Sequence, residues 1–302
     1  MISGILNVYK EKGFTSHDVV AKLRGILGQR KIGHTGTLDP DAEGVLPVCL
    51  GRATKVCDLL TDQDKTYEAV LLLGMRTDTQ DITGTVLEEG DTAGIDREKL
   101  EETVRNYIGA YDQIPPMYSA LKVNGKKLYE LAREGKTVER KARMVQIYEI
   151  CILEFRAPRV RLRVRCSKGT YIRTLCDDIG RDLGCFGCME DLKRTKAGPF
   201  EQEDAHTLEE IGQRKSQGSL KEILRPVDWL FLEYPAIQVK SQWEKLALNG
   251  NGLRQGMMTR TKVPVDDGAV VRLYDDRGNF LALYRYCGDA QEYKVVKMFC
   301  GS

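Results

Sequence analysis

"RVRLRVRC", residues 159–166, alternates without a break: Val160, Leu162, Val164 and Cys166 fall on one side of an extended chain, Arg161, Arg163 and Arg165 on the other. That pattern predicts a strand with one buried face and an arginine-lined outer face. Residues 169–184, "GTYIRTLCDDIGRDLG", change period and predict a helix ended by Gly184. Working outward, "GILNVYKEKG" reads as a first strand stopped by Gly13. "TSHDVVAKLRGILG" reads as a helix capped by Thr15 or Ser16, with Asp18 in its first turn and Val19, Val20, Leu23, Ile26 and Leu27 as its apolar stripe. "GVLPVCLG" is a short buried strand, and "KTYEAVLLLGM" a strand of about seven residues buried on both faces. "DREKLEETVRNYIG" is a helix presenting Leu100, Val104, Tyr107 and Ile108. Strands interleaved with helices through hairpin-like connections predict an α/β (α+β) fold with a mixed, largely antiparallel sheet flanked by helices.

Residues 110–145 interrupt this core with proline, glycine and many bases: an extended piece, a short helix at "KKLYELAREG", then a strand at "RMVQIYEICILEF". After residue 226 the character changes again. "VVRLYDDRGNFLALYRY" is a hairpin turning at Gly278, and "YKVVKMF" is another short strand. The organisation expected is a large unit over residues 1–230 carrying a basic insertion near 110–145, a linker near 226–235, and a small β-barrel over 236–302.

The chain has 302 residues, 30% of them charged, and no apolar run long enough to span a membrane. Its first residues lack the pattern of a secretory signal, so a cytoplasmic protein is expected. The nine cysteines read as reduced, mostly buried thiols. Cys185 and Cys188 have metal or redox spacing, but no second pair and no spaced histidines accompany them, so no metal is expected. Net charge is only +2, yet Ala120–Arg173 holds fifteen Lys or Arg against five acids, which leaves about −8 elsewhere. Such a zone is either a polyanion-binding face or a solvated charged surface, and charge alone does not choose.

"KIGHTGTLDP", residues 31–40, places one aspartate among glycines, with Pro40 fixing the chain beside it. A carboxylate so held is preorganised for chemistry, although Asp-Pro pairs also simply cap turns. The spacing of a phosphate-binding loop is missing both here and in "GRATK".

Together, "GILNVYKEKGFTSHDVV", "RKIGHTGTLDPDAEGVLPVCLGRATK", "DKTYEAVLLLGMRTDTQDITG", "YDQIPPMYSALKVNGKKLYELAREG" and "CSKGTYIRTLCDDIGRDLG" resemble the bacterial tRNA pseudouridine synthase family, whose members isomerise the T-loop uridine at position 55 of tRNA. The resemblance runs from about residue 3 to 200 and continues loosely through the tail, which is similar to the RNA-binding barrel called PUA. It implies an isomerase needing no cofactor, because no atoms or electrons are gained or lost. The family's essential aspartate matches Asp39, and its buried arginine partner matches Arg173. Its active-site tyrosine matches Tyr67, which stacks on the uracil and handles the C5 proton. Tyr171 and Leu192 match residues lining the base pocket, and His34 the residue that fills space vacated by flipped bases. Lys10 matches the lysine that supports the catalytic loop, but the family's following proline is Glu11 here. The partner implied is tRNA, gripped at its elbow by the basic stretch and the tail. A monomer without an obligatory protein partner or a membrane is expected. The alternatives are a guide-RNA-dependent synthase subunit and a catalytically idle tRNA-binding or tRNA-folding protein.

Overall fold

The computed structural model describes residues 1–123, 125–259 and 264–300. Its elements, in order, begin with β1 (Gly4–Lys10), α1 (Ser16–Leu27), β2 (Ile32–His34), β3 (Glu43–Leu50), α2 (Cys57–Thr61) and β4 (Lys65–Leu73). A hairpin of β5 (Met75–Thr77) and β6 (Val86–Glu89) leads to α3 (Arg97–Arg105) and β7 (Gly109–Gln113). The insertion carries β8 (Lys122–Val123), β9 (Lys126–Lys127) and α4 (Leu128–Arg133). There follow β10 (Arg143–Arg156), β11 (Arg159–Cys166), α5 (Ile172–Asp182), β12 (Gly187–Ala197), β13 (Phe200–Glu201), α6 (Leu208–Ser216) and β14 (Leu224–Arg225). The tail holds β15 (Ala236–Gln238), α7 (Glu244–Leu248), β16 (Val270–Tyr274), β17 (Phe280–Cys287) and β18 (Glu292–Met298).

The main sheet runs β14-β1-β3-β12-β4-β11-β10-β7, with β2 on β3 and β13 on β12. Every pairing is antiparallel except β12 with β3, where Lys193 and Arg194 lie beside Glu43 and Gly44. The sheet is therefore mixed and largely antiparallel. Local chemistry starts its helices: Thr15 and Asp18 close a reciprocal capping box on α1 and Gly28 ends it in left-handed geometry, while Asp96 caps α3.

The core lies in layers. Tyr67, Ala69, Leu71, Val160, Leu162 and Val164 of β4 and β11 pack against α3 and α5 through Leu100, Val104, Leu175 and Ile179. Leu6, Val8, Leu46 and Val48 of β1 and β3 receive α1 and α6 through Val19, Leu23 and Ile211. On the opposite face, Ile5, Val45 and Cys49 meet Phe231, Leu283 and Phe299. The stretch expected as a linker is thus packed, with Phe231, Trp229 and Tyr234 joining that cluster. The tail sheet runs β15-β16-β17-β18, and single bridges from Val239 to Met258 and from Leu253 to Tyr293 fold it on itself. Residues 260–263 and 301–302 of the tail, and residue 124 of the insertion, lie outside the described residues.

Two expectations need correction. β4 is buried on both faces only at Leu71–Leu73; before that it alternates, and Glu68 points outward. Ile108 is 45% exposed, because α3 stops at Arg105 and the chain turns away after Tyr107. Among the described residues no helix is long and apolar enough to cross a membrane.

Candidate active site

The loop between β2 and β3 is fastened at four points before Asp39 makes any contact. Ser16 Oγ accepts from the Leu38 amide at 2.9 Å. The amide of Gly13 donates to the Pro40 carbonyl at 2.9 Å. Lys10, fully buried, donates its ammonium to the carbonyls of Pro40, Ala42 and Glu11. Arg194 donates to the Gly36 carbonyl at 3.3 Å. Glu11, standing where the family has proline, is exposed, and its carbonyl is one of the acceptors of Lys10. The side chain at that position points to solvent while the backbone serves the loop.

Asp39 hangs from this loop toward α5, whose first turn supplies Arg173. Nε of Arg173 stands 3.0 Å from Oδ2 of Asp39, and Nη2 donates to Oδ1 at 3.3 Å. The guanidinium is 6% exposed and also donates to the carbonyls of Thr79 at 3.0 Å and Tyr118 at 2.9 Å. Its fourth partner is Asp81, with Nη1 to Oδ2 at 3.5 Å. Burial raises the carboxyl pKa of Asp39, and Arg173 is the strongest opposing influence, followed by Lys10, while Asp81 and Asp41 add to the rise. Burial likewise pulls Lys10 down to about 8.

Tyr67, 9% exposed on β4, stands directly across from Val164 of β11 and Arg194 of β12. Burial raises its phenol pKa, and Arg194 is the largest influence that lowers it. Leu192 lies two residues earlier on β12, opposite Ala69, and shares a core cluster with Tyr67 and Leu38. Tyr171 precedes the first residue of α5, its amide and carbonyl clasped by Gln113 at 2.7 and 2.9 Å. The fold therefore draws Asp39, Arg173, Tyr67, Tyr171, Leu192 and Lys10 into one region. His34 sits at the end of β2, where its neighbours are Gly36 and the His17 ring, 5.3 Å away. Burial lowers its pKa, so it is neutral at physiological pH.

Two residues escaped sequence reading. Asp81 lies in "RTDTQDITG", whose threonines and glycine signal only a turn. Arg194, in "DLKRT", looks like any other base beside Lys193. Neither sequence context reveals that these side chains turn inward.

The arginines of β11 do not belong to this site. Tyr67 and Glu68 are consecutive, so their side chains leave opposite faces of the sheet. Arg161 and Arg163 sit on the face of Glu68 and pair with it at 2.6 and 3.1 Å, while Arg159 pairs with Glu190 and Arg165 with Asp64. The basic zone read from the sequence thus splits: its arginine strip lies across the sheet from Asp39, where four arginines share three acids of β4, β12 and the turn before β4. Of the rest of the zone, Arg173 itself grips Asp39, and the insertion approaches it through the Tyr118 carbonyl.

Residues 24–172 match the model of the "TruB family pseudouridylate synthase (N terminal domain)", and residues 173–231 that of the "tRNA pseudouridylate synthase B C-terminal domain". The site spans both segments, Asp39 and Tyr67 in the first and Arg173 and Leu192 in the second. The tRNA pseudouridine synthase B of Lachnoclostridium phytofermentans is 54% identical over 310 residues, covering 99% of this chain and all of that one. The protein of the same name from Alkaliphilus oremlandii is 47% identical, with 86% of each chain covered. Among solved structures, a chain of a Cbf5-Nop10-Gar1 complex superposes with a TM-score of 0.71 at 28% identity, covering 98% of this chain and 85% of that one. An H/ACA RNP bound to a substrate RNA containing 2'-deoxyuridine gives 0.70 at 25% identity over 99% and 85%. Full-length likeness at this identity, joined to a matching sheet, places the chain in the TruB family of pseudouridylate synthases.

Proposed function

We infer that the chain is a stand-alone tRNA pseudouridine synthase that isomerises the T-loop uridine at position 55, acting on tRNA in the cytoplasm. The observation that carries this reading is the two-nitrogen grip of Arg173 on Asp39, in a region that also holds Tyr67 and Leu192. The reaction breaks the bond from ribose C1′ to uracil N1, turns the base, and joins C1′ to C5. Asp39 begins it as an ionised carboxylate, whether it adds to C6, attacks C1′ or takes a proton from C2′. Arg173 keeps it ionised against burial and fixes both oxygens in one plane. Tyr67 stacks on the uracil and takes the C5 proton, while Tyr171 and Leu192 wall the base.

A stacked uridine cannot reach this depth, so it is flipped out at a cost of a few kcal/mol, about the value of a handful of phosphate contacts. The exposed bases of the insertion, Lys122 and Lys141 among them, supply such contacts from the Asp39 side, His34 fills the vacated space, and the tail over 236–302 acts as a PUA-like grip. Residues 1–230 form the catalytic unit in this reading.

The likeness to Cbf5 favours one second reading, a synthase that depends on a guide RNA. Tritium release from T-loop tRNA labelled at uridine C5 separates the two. Purified protein alone is expected to release one label per tRNA, and Asp39→Asn none. Absence of release by the wild type, with tRNA still bound, would overturn the stand-alone reading.

A further inference from the structure

Arg194 is the largest side chain that the protein encloses completely, at 1% exposure. Among the described residues no carboxylate lies within ion-pair distance of it, unlike Arg173. A guanidinium stripped of water persists only where its N–H groups find acceptors. Nε donates to the Val45 carbonyl at 2.6 Å and Nη2 to the Gly36 carbonyl at 3.3 Å. These bonds tie β12 to β3 and to the Asp39 loop, but they bring no negative charge. Lys10 and Lys65, both buried, feel the same guanidinium as a repulsive neighbour. Arg194 is therefore a buried cation without a carboxylate partner among the described residues.

What faces that cation is Tyr67. The register of β12 and β4 sets Arg194 and Tyr67 directly opposite each other on the inner face. Of the charges that act on the phenol, Arg194 from β12 is the strongest, and it opposes the rise that burial causes. Cys166 from β11 and Asp39 from the loop add to that rise.

We propose that Arg194 is a positioning residue for the last chemical step, holding the Tyr67 oxygen as an acceptor and serving as counter-ion to its phenolate. The proposal rests on the reading of Tyr67 as the C5 base. Once C1′ has joined C5, the C5–H bond breaks and its electron pair returns to the ring π system. The proton passes to the phenolate oxygen, giving a neutral phenol that returns it to water before the next turnover. A buried phenol is a poor base until it ionises; burial raises the Tyr67 pKa overall, and Arg194 is the largest influence acting against that rise.

The test compares single-turnover rates of wild type, Tyr67→Phe, Arg194→Lys, Arg194→Gln and the Tyr67→Phe/Arg194→Gln double variant, on tRNA carrying hydrogen or deuterium at uridine C5. Arg194→Gln is expected to slow the reaction about 10²-fold, the size of a general-base contribution. Adding it to Tyr67→Phe should cost nothing further, because the two act as one unit. The deuterium effect should grow from wild type to Arg194→Lys to Arg194→Gln, since a lysine cannot hold both carbonyls and still face the phenol. Multiplying losses in the double variant, or a deuterium effect that never changes, would make Arg194 a mere bolt between strands and overturn the proposal. If Arg194→Gln does not fold, the deuterium effect of Arg194→Lys alone decides: larger supports the proposal, equal defeats it. A Tyr67→Phe variant as fast as wild type defeats instead the reading of Tyr67 on which the proposal stands.

Discussion

Replacing Arg173 with glutamine removes one charge and leaves two carboxylates, Asp39 and Asp81, facing each other across its former site. Burial already raises the pKa of Asp39, and Arg173 is the first influence opposing that rise. A guanidinium this close lowers a carboxyl pKa by about 1–3 units. The Asp39 side chain keeps 40% of its exposure, so solvent screens the pair and the lower end applies. The acid limb of the rate should therefore move up by about one pH unit, or about 1.4 kcal/mol of lost preference for the ionised form. The sign follows from protonation: a higher pKa keeps Asp39 neutral, and thus idle, to higher pH. The plateau rate should fall as well, by up to about 10²-fold, because nothing else holds both carboxylate oxygens.

The assay is single-turnover tritium release measured across the acid limb, which excludes product release from the rate. Thermal melts guard against a trivial result, since glutamine also forfeits the bonds to the Thr79 and Tyr118 carbonyls, each about 1 kcal/mol. An acid limb that stays where the wild type has it, whatever the plateau does, would refute the claim that Arg173 sets the ionisation of Asp39.

Four further outcomes follow from the same structure. The raised pKa of Asp39 means that the native state holds its proton more tightly than the unfolded chain does. That contribution is complete below 3.8 and is lost as pH rises through the raised value, so melting of Asp39→Asn relative to wild type should climb over that window. A flat difference would contradict it. Gly44 has φ +108°, and a Cβ there would stand 2.2 Å from the Arg194 carbonyl oxygen, so Gly44→Ala should cost about 3 kcal/mol or more in denaturant melts. Gly25→Ala, inside α1 with nothing within 4 Å, should instead stabilise by up to about 1 kcal/mol. Neutralising Lys122 or Lys141 should each reduce the salt dependence of tRNA binding by about one counter-ion, whereas Arg161→Gln and Arg163→Gln should leave it nearly unchanged. The reverse order, read from binding titrations at several salt concentrations, would return the arginine strip to the RNA face.

Features set by neighbours in sequence were legible, and features set across the sheet were not. The alternation of β11 and the start of α1 depend on residues a few positions apart; the first stands as read, and of the two caps offered for the second, Thr15 is the one used, with Asp18 closing a box on it. The pairing of the β11 strip was not legible because its partners Glu68 and Asp64 lie 93 to 101 residues upstream. No local pattern announces that each arginine arrives already paired. Asp39 and Arg173 meet across 134 residues, so resemblance and not periodicity suggested their pairing. Arg194 shows the limit most sharply, because the alternation of "DLKRT" is the same whichever face is buried.

That last ambiguity also shows how the site is built. β12 sends Leu192 and Arg194 inward and Lys193 outward, where Lys193 pairs with Glu43. A one-residue slip would exchange the two bases, placing a lysine against Tyr67 and an arginine in solvent. Register is therefore a catalytic quantity here, and the short parallel contact at Gly44 fixes it: only a residue without a Cβ lets β3 approach the Arg194 backbone this closely. The same glycine is the second residue of the strand that follows the Asp39 loop. A single close approach thus sets the position of the loop that carries the acid and of the strand that carries the cation facing Tyr67. It follows that damage at Gly44 should impair the Asp39 and Tyr67 steps together, even though Gly44 touches no substrate.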